Sequence, residues 1–152
     1  MVELNLQKAN IKFSSEIISL LEDLYTELGE EAESIKFLNK KLIEEILASG
    51  KTEIYFIQIA EKKNIGIVTL TETQAIYAGG KYGCLDEMFV LPEHRSANIG
   101  EKVIKMIKHI AKEKNWKRVD VTAPSESKWN RTVSFYEKCG FVFTGPKLKF
   151  KI

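Results

Sequence analysis

The sequence predicts an α/β (α+β) chain, and three observations carry that prediction. Apolar residues recur at helical spacing twice near the start, as Ile17, Leu21, Leu24 and Leu28 and then as Ile35, Leu38, Leu42 and Ile46. From Thr52 the period becomes that of strands, in E-I-Y-F-I-Q-I-A and I-G-I-V-T-L-T-E. Between Tyr82 and Lys114 an apolar strand ending at Val90 passes through a proline-broken turn and a small-residue loop. It then enters a helix with Val103, Ile104, Ile107, Ile110 and Ala111 on one side.

Taken in order, residues 2–9 read as a weak first strand. Ser14 or Ser15 can cap the first helix, which Gly29 closes, and the acidic link Glu30 to Glu33 follows. Ser34 opens the second helix and Gly50 stops it. E-K-K-N forms a hairpin turn between antiparallel strands, and a loop from Thr73 to Lys81 leads to the central strand Tyr82 to Val90. After the third helix, R-V-D-V-T-A is a buried strand. Pro124, Ser125 and Ser127 mark a turn into a fourth helix, about Asn130 to Lys138, closed by Gly140. The tail breaks at Gly145 and Pro146, and K-L-K-F-K-I alternates as a half-exposed antiparallel strand should.

The 152 residues suit one domain, residues 1–152, burying about two thirds of its unfolded surface. Hydrophobic (44%) and charged (29%) fractions are those of an ordinary soluble globule. The start lacks a secretory pattern, and the apolar run Ile54 to Ala60 is far short of the roughly 20 residues of a membrane helix. Cys84 and Cys139 lack metal-ligand spacing and read as buried reduced thiols of a cytoplasmic protein; no metal is expected. His94 and His109 read as surface residues.

Charge is uneven. Between Phe13 and Lys36 there are Glu16, Glu22, Asp23, Glu27, Glu30, Glu31 and Glu33 without a single Lys or Arg. Lys102, Lys105, Lys108, Lys112, Lys114 and Lys117 reverse the balance later. A nucleic-acid role is not expected, because interleaved exposed aromatics are missing and a pI of 8.4 is short of a strongly basic footprint.

The strand–loop–helix junction concentrates amide donors at the positive end of a helix dipole, a natural place for a phosphate or pyrophosphate. Arg95 can neutralise a phosphate charge, and Asn98 and Gly100 tolerate unusual backbone. An ordinary helix start explains the same residues equally well.

Two motifs add to this. V-L-P-E-H-R-S-A-N-I-G resembles the acetyl-coenzyme A signature of the GNAT superfamily of N-acetyltransferases, [Q/R]-x-x-G-x-[G/A] after a strand ending V-x-P. W-N-R-T-V-S-F-Y-E-K-C-G-F, from Trp129 to Phe141, resembles its second motif, N-x-x-x-x-x-F-Y-x-x-x-G-F. The resemblance covers about residues 50 to 152, and Asn98 stands where the pattern prefers Gly. It implies a mixed, mostly antiparallel six- to seven-stranded sheet flanked by four helices, with parallel fourth and fifth strands that splay apart.

The resemblance also implies a reaction: an acetyl group passes from acetyl-CoA to a primary amine by direct attack. The acidic segment from Glu27 to Glu33, and not the resemblance, points to a small cationic acceptor. Cofactor-binding residues would be the backbone of Met88, Phe89 and Val90, the loop Arg95, Ser96, Ala97, Asn98, Ile99, Gly100 and Glu101, and Asn130 and Tyr136. Tyr136 matches the tyrosine that protonates the departing thiolate. Glu87 matches a frequent base position, although a structural acceptor role is as compatible with its residue type. By strand alternation Asp86 should face the opposite side, and Glu72 and Tyr55 are further candidates. A non-catalytic acyl-CoA sensor, and a protein N-acetyltransferase acting on a Lys or N-terminal amine, remain alternatives; a homodimer is left open.

Overall fold

The computed structural model describes residues 3–29, 33–95, 98–122, 130–145 and 147–152. Among them the chain runs β1 (Asn5–Lys8), α1 (Ser14–Leu28), α2 (Lys40–Ala48), β2 (Thr52–Ile59), β3 (Lys63–Ala75), β4 (Gly80–Val90), α3 (Ile99–Glu113), β5 (Val119–Val121) and α4 (Asn130–Lys138). The five strands form one sheet in sequence order. The first three pairings are antiparallel. At the far edge Lys117 N–H donates to Lys81 O (2.8 Å) and Gly83 N–H to Arg118 O (3.0 Å). These bonds advance together along both strands, as a parallel pair requires.

Two units make up the chain, Met1–Asp120 and Val121–Ile152. In the first, α1 and α2 cover one face of the sheet, where Ile17, Leu20, Leu21, Leu24 and Ile43 pack with Ile54, Phe56, Ile67 and Phe89. Strand alternation sends Ile57, Val68 and Leu70 to the other face, the face on which the end of α3 lies. Val103, Ile104 and Ile107 of that helix are at most 1% exposed. Burying each such side chain contributes about 1.5–3 kcal/mol, enough to set the helix registers.

Helix starts differ from expectation because side-chain caps compete. Neither Ser14 nor Ser15 caps α1; a single 3-10 turn precedes it, capped by the Asn10 carboxamide accepting from Lys12 N–H (2.9 Å). Ser34 opens only another such turn, and α2 begins after Asn39, whose side chain accepts from Leu42 N–H (2.9 Å). Asn is at least as good a cap as Ser.

The hairpin loop is also shorter than expected: β3 continues to Ala75 and β4 starts at Gly80, so only residues 76–79 turn. β5 is three half-exposed residues rather than a buried strand. Among the described residues the strands number five rather than six or seven, since residues 141–145 and 147–152 form no strand. Leu148, Phe150 and Ile152 are 89–116% exposed. Alternation states which side chains a strand would bury, but a strand exists only where a neighbour completes its ladder.

The second unit contains α4, which ends in a recognisable local device. Gly140 takes the left-handed conformation (φ 98°), its N–H donates to Glu137 O (3.0 Å), and Phe141 N–H reaches back to Tyr136 O (3.0 Å). This is the Schellman arrangement, completed by ring contact of Tyr136 with Phe141 at 5.4 Å. The F-Y-x-x-x-G-F spacing is therefore, first of all, a helix terminator. No helix of the described residues is long and apolar enough to cross a membrane. Cys84 and Cys139 are half-buried.

Candidate active site

Register slips once along β4. Thr69 pairs with Glu87, whereas Leu70 pairs with Leu85, so Asp86 is an extra residue and the strand bulges there. The bulge breaks the alternation that would have sent Asp86 and Glu87 to opposite faces. Both carboxylates reach threonines two apart on β3: Thr71 Oγ1 donates to Asp86 Oδ2 (2.6 Å), and Thr69 Oγ1 donates to Glu87 Oε1. Residues two apart share a face, so the two carboxylates share one as well.

Three hydrogen bonds to two partners grip Glu87. Its own N–H donates to Thr69 Oγ1 (2.9 Å), which orients that hydroxyl to give its proton to Oε1. Tyr25 Oη, from α1, donates to Oε2 (3.0 Å). Burial raises the Glu87 pKa above the usual carboxylate range; the Thr69 and Tyr25 bonds pull it back, and the Asp86 charge pushes it up again. A half-buried carboxylate held only by neutral hydroxyls keeps its appetite for a proton. Tyr25 was missed by sequence reasoning, since nothing in a helix stripe marks a tyrosine as the partner of a residue 62 positions on.

Of Met88, Phe89 and Val90, only two have main-chain groups turned outward. Leu91 N–H donates to Ile65 O (2.8 Å), so alternation turns the groups of Val90, and of Met88, away from β3 and commits Phe89 to it. The Phe89 side chain is core. Arg95 has partners within the chain. Its Nε donates to Val90 O (2.7 Å) and its two terminal nitrogens clasp the Glu27 carboxylate (2.8 and 2.5 Å) above the Phe89 ring.

Asn98 does adopt the left-handed conformation (φ 59°), while Gly100 is an ordinary second residue of α3. The intrahelical ladder starts with Lys102 N–H donating to Asn98 O (3.1 Å), so the amides ahead of it, Ile99 and Gly100 among them, lead out of the helix end. That geometry fits a diphosphate. Ser96 and Ala97 lie outside the described residues.

The remaining candidates separate. Tyr55 and Glu72 occupy the face opposite Glu87. Glu72 accepts from Trp116 Nε1 (2.7 Å), and burial followed by the nearby Glu53 charge raises the Tyr55 pKa. Asn130 is the exposed first residue of α4. Tyr136, half-buried beside Phe135 and Phe141, has its pKa pushed up to about 12 by burial and then by Cys139. The phenol is thus protonated throughout the neutral range. His109 pairs with Glu113 on the surface (2.7 Å).

No curated protein sequence matches the chain. Solved structures similar to it include a ribosomal-protein-alanine N-acetyltransferase from Brucella melitensis biovar Abortus 2308 (17% identity, 99% of this chain and 100% of that one, TM-score 0.73). An aminoglycoside acetyltransferase from an uncultured soil metagenomic sample, in complex with sisomicin, is another (15% identity, 98% and 95%, TM-score 0.76). A Trypanosoma brucei acetyltransferase is a third (20% identity, 99% and 100%, TM-score 0.72). These identities speak for the fold. Residues 51–143 match the family model described as the acetyltransferase (GNAT) domain, and over that span the chain belongs to the GNAT acetyltransferase family.

Proposed function

We propose that the chain transfers an acetyl group from acetyl-CoA to a primary amine of a small cationic acceptor, by direct attack in a ternary complex. The observation that carries this reading is Glu87, a carboxylate of raised pKa on β4 of an acetyltransferase fold, held by hydroxyls rather than by cations.

Bound acetyl-CoA supplies an activated acyl thioester. Glu87 takes the proton of the acceptor ammonium; its raised pKa narrows the gap to an amine whose pKa is near 10. Asp86, exposed beside it, adds a second negative charge that favours a cationic acceptor. The outward main-chain groups of Met88 and Val90 would hold the pantetheine arm, and Val90 N–H would be the donor available to the thioester oxygen. The amides of Ile99, Gly100 and Glu101 at the helix start would receive the diphosphate, while the Arg95 side chain is tied to Glu27. Asn130 binds the cofactor arm and Tyr136 returns a proton to the thiolate, both assigned by their places in the motif. A similar fold, the soil aminoglycoside acetyltransferase, has a cationic acceptor class in its name and supports the choice of acceptor.

The test is turnover of acetyl-CoA with polyamines, aminoglycosides and lysine-like amines at low and high salt, using wild type and Glu87→Gln. Glu87→Gln should cost roughly 10²–10⁴ in kcat/KM, and added salt should raise KM for polycations. Turnover indifferent to both would overturn the reading.

A further inference from the structure

We propose that Tyr25 is a positioning residue for the proton transfer at Glu87, fixing which carboxylate lone pairs face the acceptor amine. This rests on the reading of Glu87 as the base.

The torsion that orients a glutamate carboxylate is broad and roughly two-fold, so one hydrogen bond leaves the group free to swing. Thr69 supplies that one bond from within the strand pair, and the same hydroxyl already accepts from Glu87 N–H. Tyr25 supplies the second from a different layer, pinning Oε2 at 3.0 Å while Oε1 is pinned by Thr69. Two anchored oxygens define one plane, and the lone pairs left over point in fixed directions.

Tyr25 is itself well placed to hold still. It stands one turn before the end of α1, between the buried Leu24 and Glu27, and Glu27 is clasped to Arg95, which bonds Val90 O. The last turn of α1 is thereby fastened to β4 at both Glu87 and Val90. A neutral phenol orients the carboxylate and lowers its pKa less than a Lys or Arg there, which would hold it ionised. The groups facing Glu87 are Tyr25 of α1, Thr69 of β3 and Asp86 of its own strand, the last held by Thr71.

The experiment compares wild type, Tyr25→Phe, Thr69→Val and Glu87→Gln in two readouts: the titration of the Glu87 carboxyl carbon by ¹³C NMR, and the pH profile of kcat/KM with acetyl-CoA and the best amine of the panel. Tyr25→Phe keeps the ring and should keep the fold, checked by Tm. Removing a donor to the charged form should raise the Glu87 pKa by roughly 0.5–1 unit and move the acidic limb of the profile with it. It should lower kcat about 5–50-fold, within the range of a misplaced general base, and leave KM for acetyl-CoA unchanged. An unmoved titration and limb in Tyr25→Phe, with Glu87→Gln inactive, overturns the positioning role alone. An active Glu87→Gln overturns the base and with it the catalytic role of Tyr25, whatever the titration does.

Discussion

Two carboxylates on the same sheet, Glu53 and Glu87, have opposite fates. Burial alone would raise both. Glu53 is met by Lys114 and Lys8, each at 2.5 Å, and these cations hold its pKa below the usual carboxylate range. Glu87 is met by Tyr25 and Thr69, and its pKa stays raised. Glu87 is the more deeply desolvated of the two and is met by neutral donors, whereas Glu53 is met by cations; both differences push the pair apart. The faces of β4 divide likewise: the side toward α1 carries the bulge and its polar cluster, while the other is sealed by Trp116 lying on Gly83.

If that division is real, damage to the sealed face should cost stability and spare the chemistry of Glu87. The largest effect expected is for Trp116→Ala, about 3–5 kcal/mol by denaturant unfolding, with the acidic limb of the kcat/KM profile unmoved in the folded fraction. Gly83→Ala comes next. An added Cβ would run into the Trp116 ring, and overpacking of this kind costs about 1–3 kcal/mol. A limb that moves in either variant would break the comparison.

Smaller effects separate the two carboxylates by sign. The Glu53 pKa is depressed in the fold, so its contribution is present above the unfolded value and is lost as pH falls through the folded one. Glu53→Gln should therefore cost about 1 kcal/mol at pH 7, a figure discounted for the solvent around Lys8, and nothing at acid pH. The folded pKa of Glu87 is raised, so ionising it works against the fold as pH climbs through that value. Relative to wild type, Glu87→Gln should gain Tm with rising pH across that window and be level below it; the opposite slope would mean Glu87 is a strut after all. The smallest effect is for Asp86→Asn, which removes a like charge and should lower the acidic limb by roughly a few tenths of a unit.

Much of this was legible in order along the chain. The helix over Asn130–Lys138 and its Gly140 stop, the left-handed Asn98, and the antiparallel pairing of the strands after Thr52 follow from signals within a few residues of each other. Misreadings came where a local signal needed a distant partner. The Arg95 guanidinium is clasped by Glu27, 68 positions earlier, a partner that no local signal names. The tail had a strand's alternation and no strand to join.

What the sequence determined by itself was the helices and the strands as far as β5, because helical and strand periods and glycine terminators are written in short-range spacing. Only the tertiary structure decided which side of the sheet Asp86 and Glu87 share, and what holds them. A bulge is a mismatch between two strands and a hydrogen bond between layers joins residues far apart in the chain. Neither has a trace in the residues on one side of it alone.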